Sequence, residues 1–185
     1  MNDLVKHDLY RYKGDTRLKS FIKAWLFIPG FRYVYHFRKC NKYKRNSVLG
    51  IIHRLALRRY YFKYGIQIPI NTKIGKGFYI GHFGNIVINN SAVIGDNCNV
   101  AHGVTIGQIN RGRRKGTPSI GNQVWIGTGS VVVGNITIGN NVLIAPLTYV
   151  NDDIPENSLV MGNPFKVVPQ ANATKNYVTK ILNLK

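Results

Sequence analysis

The chain has 185 residues, enough for one core and a small appendage. Its 26 Lys and Arg against 7 Asp and Glu give a net charge of +19, and its two cysteines, Cys40 and Cys98, lie far apart. That excludes a disulfide framework, and no apolar run approaches the ~20 residues of a membrane-spanning helix.

The first twenty residues are polar and charged, unlike a secretory leader. A cytoplasmic protein is expected, with a peripheral position at the inner face of the cell membrane as a further expectation. The charge is unevenly spread. Residues 1–65 hold sixteen basic and three acidic side chains, whereas residues 66–170 hold seven and four.

Within residues 1–65, Leu18, Phe21, Ile22, Trp25 and Leu26 follow helical spacing, with Lys19 and Lys23 opposite. Pro29-Gly30 ends that helix. A second is predicted from Phe31 to Lys39. A third, near Ser47 to Tyr64, is apolar on two sides, one with Val48, Ile51, Ile52 and Leu55, the other with Leu57, Tyr60, Tyr61 and Tyr64. These basic, aromatic-rich helices either cap the next domain or rest on an anionic membrane surface. Nucleic acid is not expected, because no recognition motif accompanies the charge.

From Ile66 to about Ile154 an aliphatic residue returns every six positions: Ile68, Ile74, Ile80, then Ile88, Ile94, Val100, Ile106, then Ile120, Ile126, Val132, Ile138, Ile144, Val150. A helix would smear such a period around its circumference. Three short strands per coil, stacked at about 4.8 Å with the aliphatics inward, accommodate it. The predicted fold is therefore mainly β, a parallel β-helix over 66–154 preceded by a short α-helical segment. Residues 155–185 form a C-terminal extension in which the rhythm is expected to break.

The rhythm stumbles twice. Ile80 to Ile88 is eight residues, so two bulge out around His82-Phe83-Gly84-Asn85. Ile106 to Ile120 is fourteen, so a basic loop over 107–119 projects from the coil. His82 and His102 each lie two positions past an aliphatic and twenty apart, which is one coil of eighteen plus the bulge. They should stack on one face in adjacent coils about 5 Å apart, and the loop is expected to converge on the same edge. No third ligand falls in register, so no metal is expected.

Several strings in this region resemble a known family. GIQIPINTKIGKGFYIGHFGNIVINNSAVIGDN, NVAHGVTIG, PSIGNQVWIGTGSVVVGNITIGNNVLIAPLTYV and the ending DDIPENSLVMGNP are similar to the serine O-acetyltransferase group of hexapeptide-repeat acyltransferases. The resemblance is read as closest to capsule and exopolysaccharide O-acetyltransferases of the colanic acid type. It implies left-handed coils, an exception to the usual crossover hand, and a homotrimer with sites between subunits. Acetyl-CoA is the implied donor, and the implied acceptor is a hydroxyl of a sugar or lipid-linked glycan.

The resemblance also implies residue roles. His82 takes the place of the catalytic base, with His102 one coil away to orient the acceptor or help stabilise the oxyanion. Gln67 stands where the serine enzymes carry the aspartate that orients the base. Gly81 replaces a second aspartate, and Gly116-Thr117 replaces an Arg-His pair. Gly107, Gly127, Thr128, Ala145 and Pro146 match the coenzyme path, with Lys166 near its phosphates. Apart from the resemblance, Asn85, Arg111, Arg113 and Arg114 are assigned to substrate, with a grip on the coenzyme 3′-phosphate and a merely solvated loop as the other readings of the arginines. Serine acetylation in cysteine biosynthesis and a non-catalytic β-helix scaffold stand as alternatives.

Overall fold

A computed structural model describes residues 2–183. Four helices come first: α1 (Asp3–Lys13), α2 (Leu18–Phe27), α3 (Pro29–Lys42) and α4 (Val48–Tyr64). Pro29 both stops α2 and starts α3, at a first-turn position where its missing N–H costs nothing. Ser47 caps α4 by accepting from the Gly50 N–H at 3.1 Å.

The rest is a parallel β-helix with three faces, its strands numbered in chain order. The first face stacks β1 (Ile66–Gln67), β4 (Ile86–Ile88), β7 (Thr105–Gly107), β10 (Val131–Val133) and β13 (Tyr149–Val150). The second stacks β2 (Lys73–Ile74), β5 (Val93–Ile94), β8 (Ser119–Ile120) and β11 (Thr137–Ile138). The third stacks β3 (Tyr79–Ile80), β6 (Asn99–Val100), β9 (Trp125–Ile126), β12 (Val142–Ile144) and β14 (Ser158–Gly162), and is edged by antiparallel β15 (Phe165–Pro169). Predicted inward aliphatics pair rung upon rung, as in Ile88 with Ile106, Ile94 with Ile120 and Val100 with Ile126. Each is buried in one continuous core, where an isoleucine contributes about 1.5–3 kcal/mol.

The count in sixes runs further than the sequence reading placed it. Ile154 bridges to Ile138 and Val160 stacks on Ile144, so the coil closes at Val160 before the chain reverses into β15. Turning between the second and third faces needs left-handed backbone at each rung. Asn97, Gln123, Asn141 and Asn157 supply it, with φ from 54° to 57°.

α1 and α3 plug the N-terminal end of the coil. The buried Asp8 carboxylate receives the Arg38 Nε at 2.9 Å and the Phe78 N–H at 2.9 Å, while Arg38 also donates to the carbonyls of Ile74 and Gly75. Burial pushes the Asp8 carboxyl upward, against the pull of Arg38 and the backbone donors. Gly30 lets α3 close on the coil, since a Cβ there would sit 2.1 Å from the Ile80 carbonyl oxygen. After β15 the chain runs back along the third face. Thr174 bonds Asn141, Tyr177 packs on Trp125, the Tyr177 carbonyl accepts from Asn99, and the Thr179 carbonyl accepts from Arg11.

Candidate active site

The corner between the third and first faces carries the two histidines. Pairing of Ile80 with Val100 puts His82 and His102 on successive rungs, with ring centroids 5.9 Å apart and planes at 89°. Both side chains are exposed. The two extra residues of the lower rung are taken up at Gly84, with φ of 119°, and Asn85, with φ of 50°. The first of these is a conformation that side chains rarely adopt, which is why a glycine stands there. Gly103 N–H donates to the Gly84 carbonyl at 2.9 Å and locks the bulge to the rung above. Phe83 leans on Tyr64 of α4, 5.3 Å between rings.

Behind this corner sits a device that the sequence reading missed. The Tyr12 hydroxyl accepts from the Ile80 N–H at 2.8 Å and faces the Ile80 carbonyl at 3.3 Å, so α1 grips the strand that delivers His82 two residues later. Burial drives that hydroxyl well above the ordinary tyrosine range. The signal was present, because Val5, Leu9 and Tyr12 follow helical spacing. It was masked by Asp8 and Arg11, which are polar yet buried.

The same corner continues upward as a ladder. Above His102 come Gly127 and Thr128, then Ala145 and Pro146, linked by the Gly129 N–H to the His102 carbonyl at 3.1 Å and the Leu147 N–H to the Thr128 carbonyl at 2.9 Å. A Cβ on Gly127 would lie 2.6 Å from the Pro146 nitrogen, so only glycine permits this rung spacing. Lys166 pairs with Met161 in the final rung. From His102 to that rung is three spacings, about 14 Å. Gly107 does not join this ladder. It closes β7 at the far edge of the first face, beside Val133.

The basic loop differs from its expectation. It leaves between the first and second faces, so the full width of the first face separates its root from the histidines, and the two do not converge within one chain. The loop doubles back through an antiparallel bridge between Ile109 and Gly116. Arg114, expected to hold substrate, is instead ion-paired with Asp152 and with Asp153, the latter at 2.9 Å, and holds the loop against the coil. The Thr137 N–H and Arg114 together keep the Asp153 carboxyl below the usual carboxylate range. Arg111 and Arg113 are exposed.

The orienting bond expected from Gln67 to His82 is not made among the described residues. Gln67 is exposed on β1 and lines a cleft of about 660 Å³ with Tyr33, Leu57, Phe62 and Val87. Both cysteines are unsuited to nucleophilic work, since burial pushes the Cys98 thiol up to about 12 and the Cys40 thiol up to about 11.

Known proteins resemble this chain along most of its length. Residues 117–152 match the family "Bacterial transferase hexapeptide (six repeats)". The serine acetyltransferase of Bacillus licheniformis is 34% identical over 162 residues, covering 86% of this chain and 73% of that protein. That of Synechococcus elongatus is 31% identical over 157 residues, covering 85% and 64%. A crystal structure of serine acetyltransferase in complex with coenzyme A, from Brucella abortus, superposes with a TM-score of 0.74 at 25% identity, covering 90% and 67%. The chain spans 46–64% of the length of several curated relatives. These names correct the capsule and exopolysaccharide reading: relatives about 30% identical over most of the chain are serine acetyltransferases.

Proposed function

Because the chain belongs to the serine acetyltransferase family of hexapeptide-repeat transferases, we propose that it moves the acetyl group of acetyl-CoA onto the hydroxyl of serine. The observation carrying this reading is the histidine pair, His82 and His102, meeting at 5.9 Å at the foot of the corner ladder. His82 accepts the hydroxyl proton as the serine oxygen bonds to the acetyl carbonyl carbon. The carbonyl oxygen then carries a negative charge, for which backbone N–H groups near the 82–85 bulge are read as the donors. Collapse of the adduct breaks the carbon–sulfur bond, and the imidazolium returns its proton to the departing thiolate. The products are O-acetylserine and free coenzyme thiol, with no acyl-enzyme.

The coenzyme is read as lying along Gly127, Thr128, Ala145 and Pro146, with Lys166 toward its phosphates. The site is read as shared in a homotrimer, where one subunit's loop, with Arg111 and Arg113, faces the next subunit's histidine corner. Position 81, where the resemblance puts the aspartate that holds the amino acid, is Gly, so the ammonium group of serine must find its counter-charge elsewhere.

Thiol release from acetyl-CoA with and without L-serine tests the proposal. Serine-dependent release should fall about 10²–10⁴-fold in His82→Ala, the usual contribution of a general base. Release with other hydroxyl compounds but not with serine would retire the acceptor and keep the chemistry. Unchanged turnover in His82→Ala would retire the base.

A further inference from the structure

Among the described residues the outward faces of α2 and α4 have no partner. Both helices pack beside α3, since the Tyr35 ring contacts Phe21 of α2 and His53 of α4 edge-on, while α4 also reaches the coil's core through Leu57 and Tyr64. Arg32 of α3 likewise lies over Trp25 of α2 and Tyr60 of α4. The sequence reading gave α4 two apolar sides, and only the one with Leu57 and Tyr64 is buried. The other, Val48, Ile51, Ile52 and Leu55, is 47–74% exposed. On α2 the stripe Leu18, Ile22 and Leu26 is 47–74% exposed, and Phe27 reaches 76%. Unpartnered apolar side chains in such number mark a contact surface.

What surrounds them identifies the partner. From Thr16 to Gly95 the sequence holds fifteen Lys and Arg and not one Asp or Glu. Lys19 and Lys23 border the α2 stripe, and Arg58, Arg59 and Lys63 border the α4 stripe, all exposed. A second copy docked two-fold on the same helices would set two carboxylate-free cationic stretches against each other, which repels. Nucleic acid would satisfy the cations and leave the leucines, isoleucines and phenylalanines in water.

We infer that α2 and α4 lie on an anionic lipid surface, with their apolar stripes in the headgroup boundary and their lysines and arginines against acidic headgroups. Exposed apolar stripes bordered by cations are the combination that interfacial helices use. With 10 and 17 residues, both are shorter than the ~20 a span requires, so the contact runs along the surface. Lysine stems let charge and stem occupy different depths. The inference is independent of which acceptor is acetylated.

The test is co-sedimentation of the full chain at 0.1 M salt with vesicles of phosphatidylcholine containing 30% phosphatidylserine, and with phosphatidylcholine alone. Binding to the mixed vesicles should be at least tenfold tighter than to the neutral ones. Each removed cation should weaken it about fivefold, so Lys19→Glu with Lys23→Glu should move the protein to the supernatant. Phe27→Ser with Leu55→Ser should do the same while thermal unfolding stays unchanged. A supernatant location with both vesicle types, or equal binding to both that ignores 0.5 M salt, overturns the inference. So does a fall in oligomer mass by sedimentation velocity in Phe27→Ser with Leu55→Ser, which would assign the surface to a second copy.

Discussion

Acid should loosen the helical cap through His36. Its ring is buried on α3, with Nδ1 3.0 Å from the Nδ1 of His53 and its Nε2 without a partner among the described residues. Burial, then His53, then Arg32 lower its pKa from 6.5 to about 4. A histidine with a depressed folded value favours unfolding as pH falls, because the unfolded chain binds the proton first. The loss therefore begins near pH 6.5 and levels off near pH 4. Between pH 7 and pH 5 linkage gives about 2 kcal/mol, an upper figure because water at the half-exposed His53 screens part of it. At an m-value of ~2 kcal/mol per M the urea midpoint should drop by about 1 M. Urea titrations at pH 7, 6 and 5, followed by the fluorescence of Trp25 and Trp125, should show this in the native chain and a much flatter dependence in His36→Phe. An equal pH slope in both proteins would refute the reasoning, since the remaining carboxylates are common to the two.

Three other outcomes follow from the packing. Asp8→Asn strands Arg38 in a buried site and should cost about 3–5 kcal/mol in urea unfolding; a loss below 1 kcal/mol would mean that water reaches the pair. Tyr12→Phe leaves the Ile80 N–H buried without an acceptor and should cost about 1–3 kcal/mol. Steady-state kinetics should then show kcat falling with KM for acetyl-CoA little changed, and a normal kcat would break the link between α1 and His82. Cys40 and Cys98 should resist a thiol-specific reagent in the native protein and both react in 6 M guanidinium; rapid native labelling would contradict their burial.

The core was legible in the sequence because a six-residue period leaves a side chain no freedom about which way it points, so Ile88, Ile106 and Val132 could be placed inside by counting alone. Counting also stacked His82 on His102. It failed where direction depends on residues distant in sequence. Arg114 turns the loop back by reaching Asp152 and Asp153, and no period announces that pairing. α1 escaped notice because its buried face mixes Val5 and Leu9 with Asp8 and Arg11, whose partners, Arg38 for the first and the Gly77 carbonyl and Asn99 for the second, meet them only after folding. Gly81 and Gln67 likewise show what is missing from the acceptor side, not what replaces it.

Solenoids ordinarily behave as one-dimensional arrays, each rung held only by its neighbours and free to unravel from either end. Here the segment from Thr174 to Thr179 touches Asn141, Trp125, Asn99 and finally Arg11 of the first helix. That lengthwise seam ties the far rungs of the coil to α1 at its near end. Fraying at one end of the coil must therefore loosen the other, and a sequential melt becomes a cooperative one.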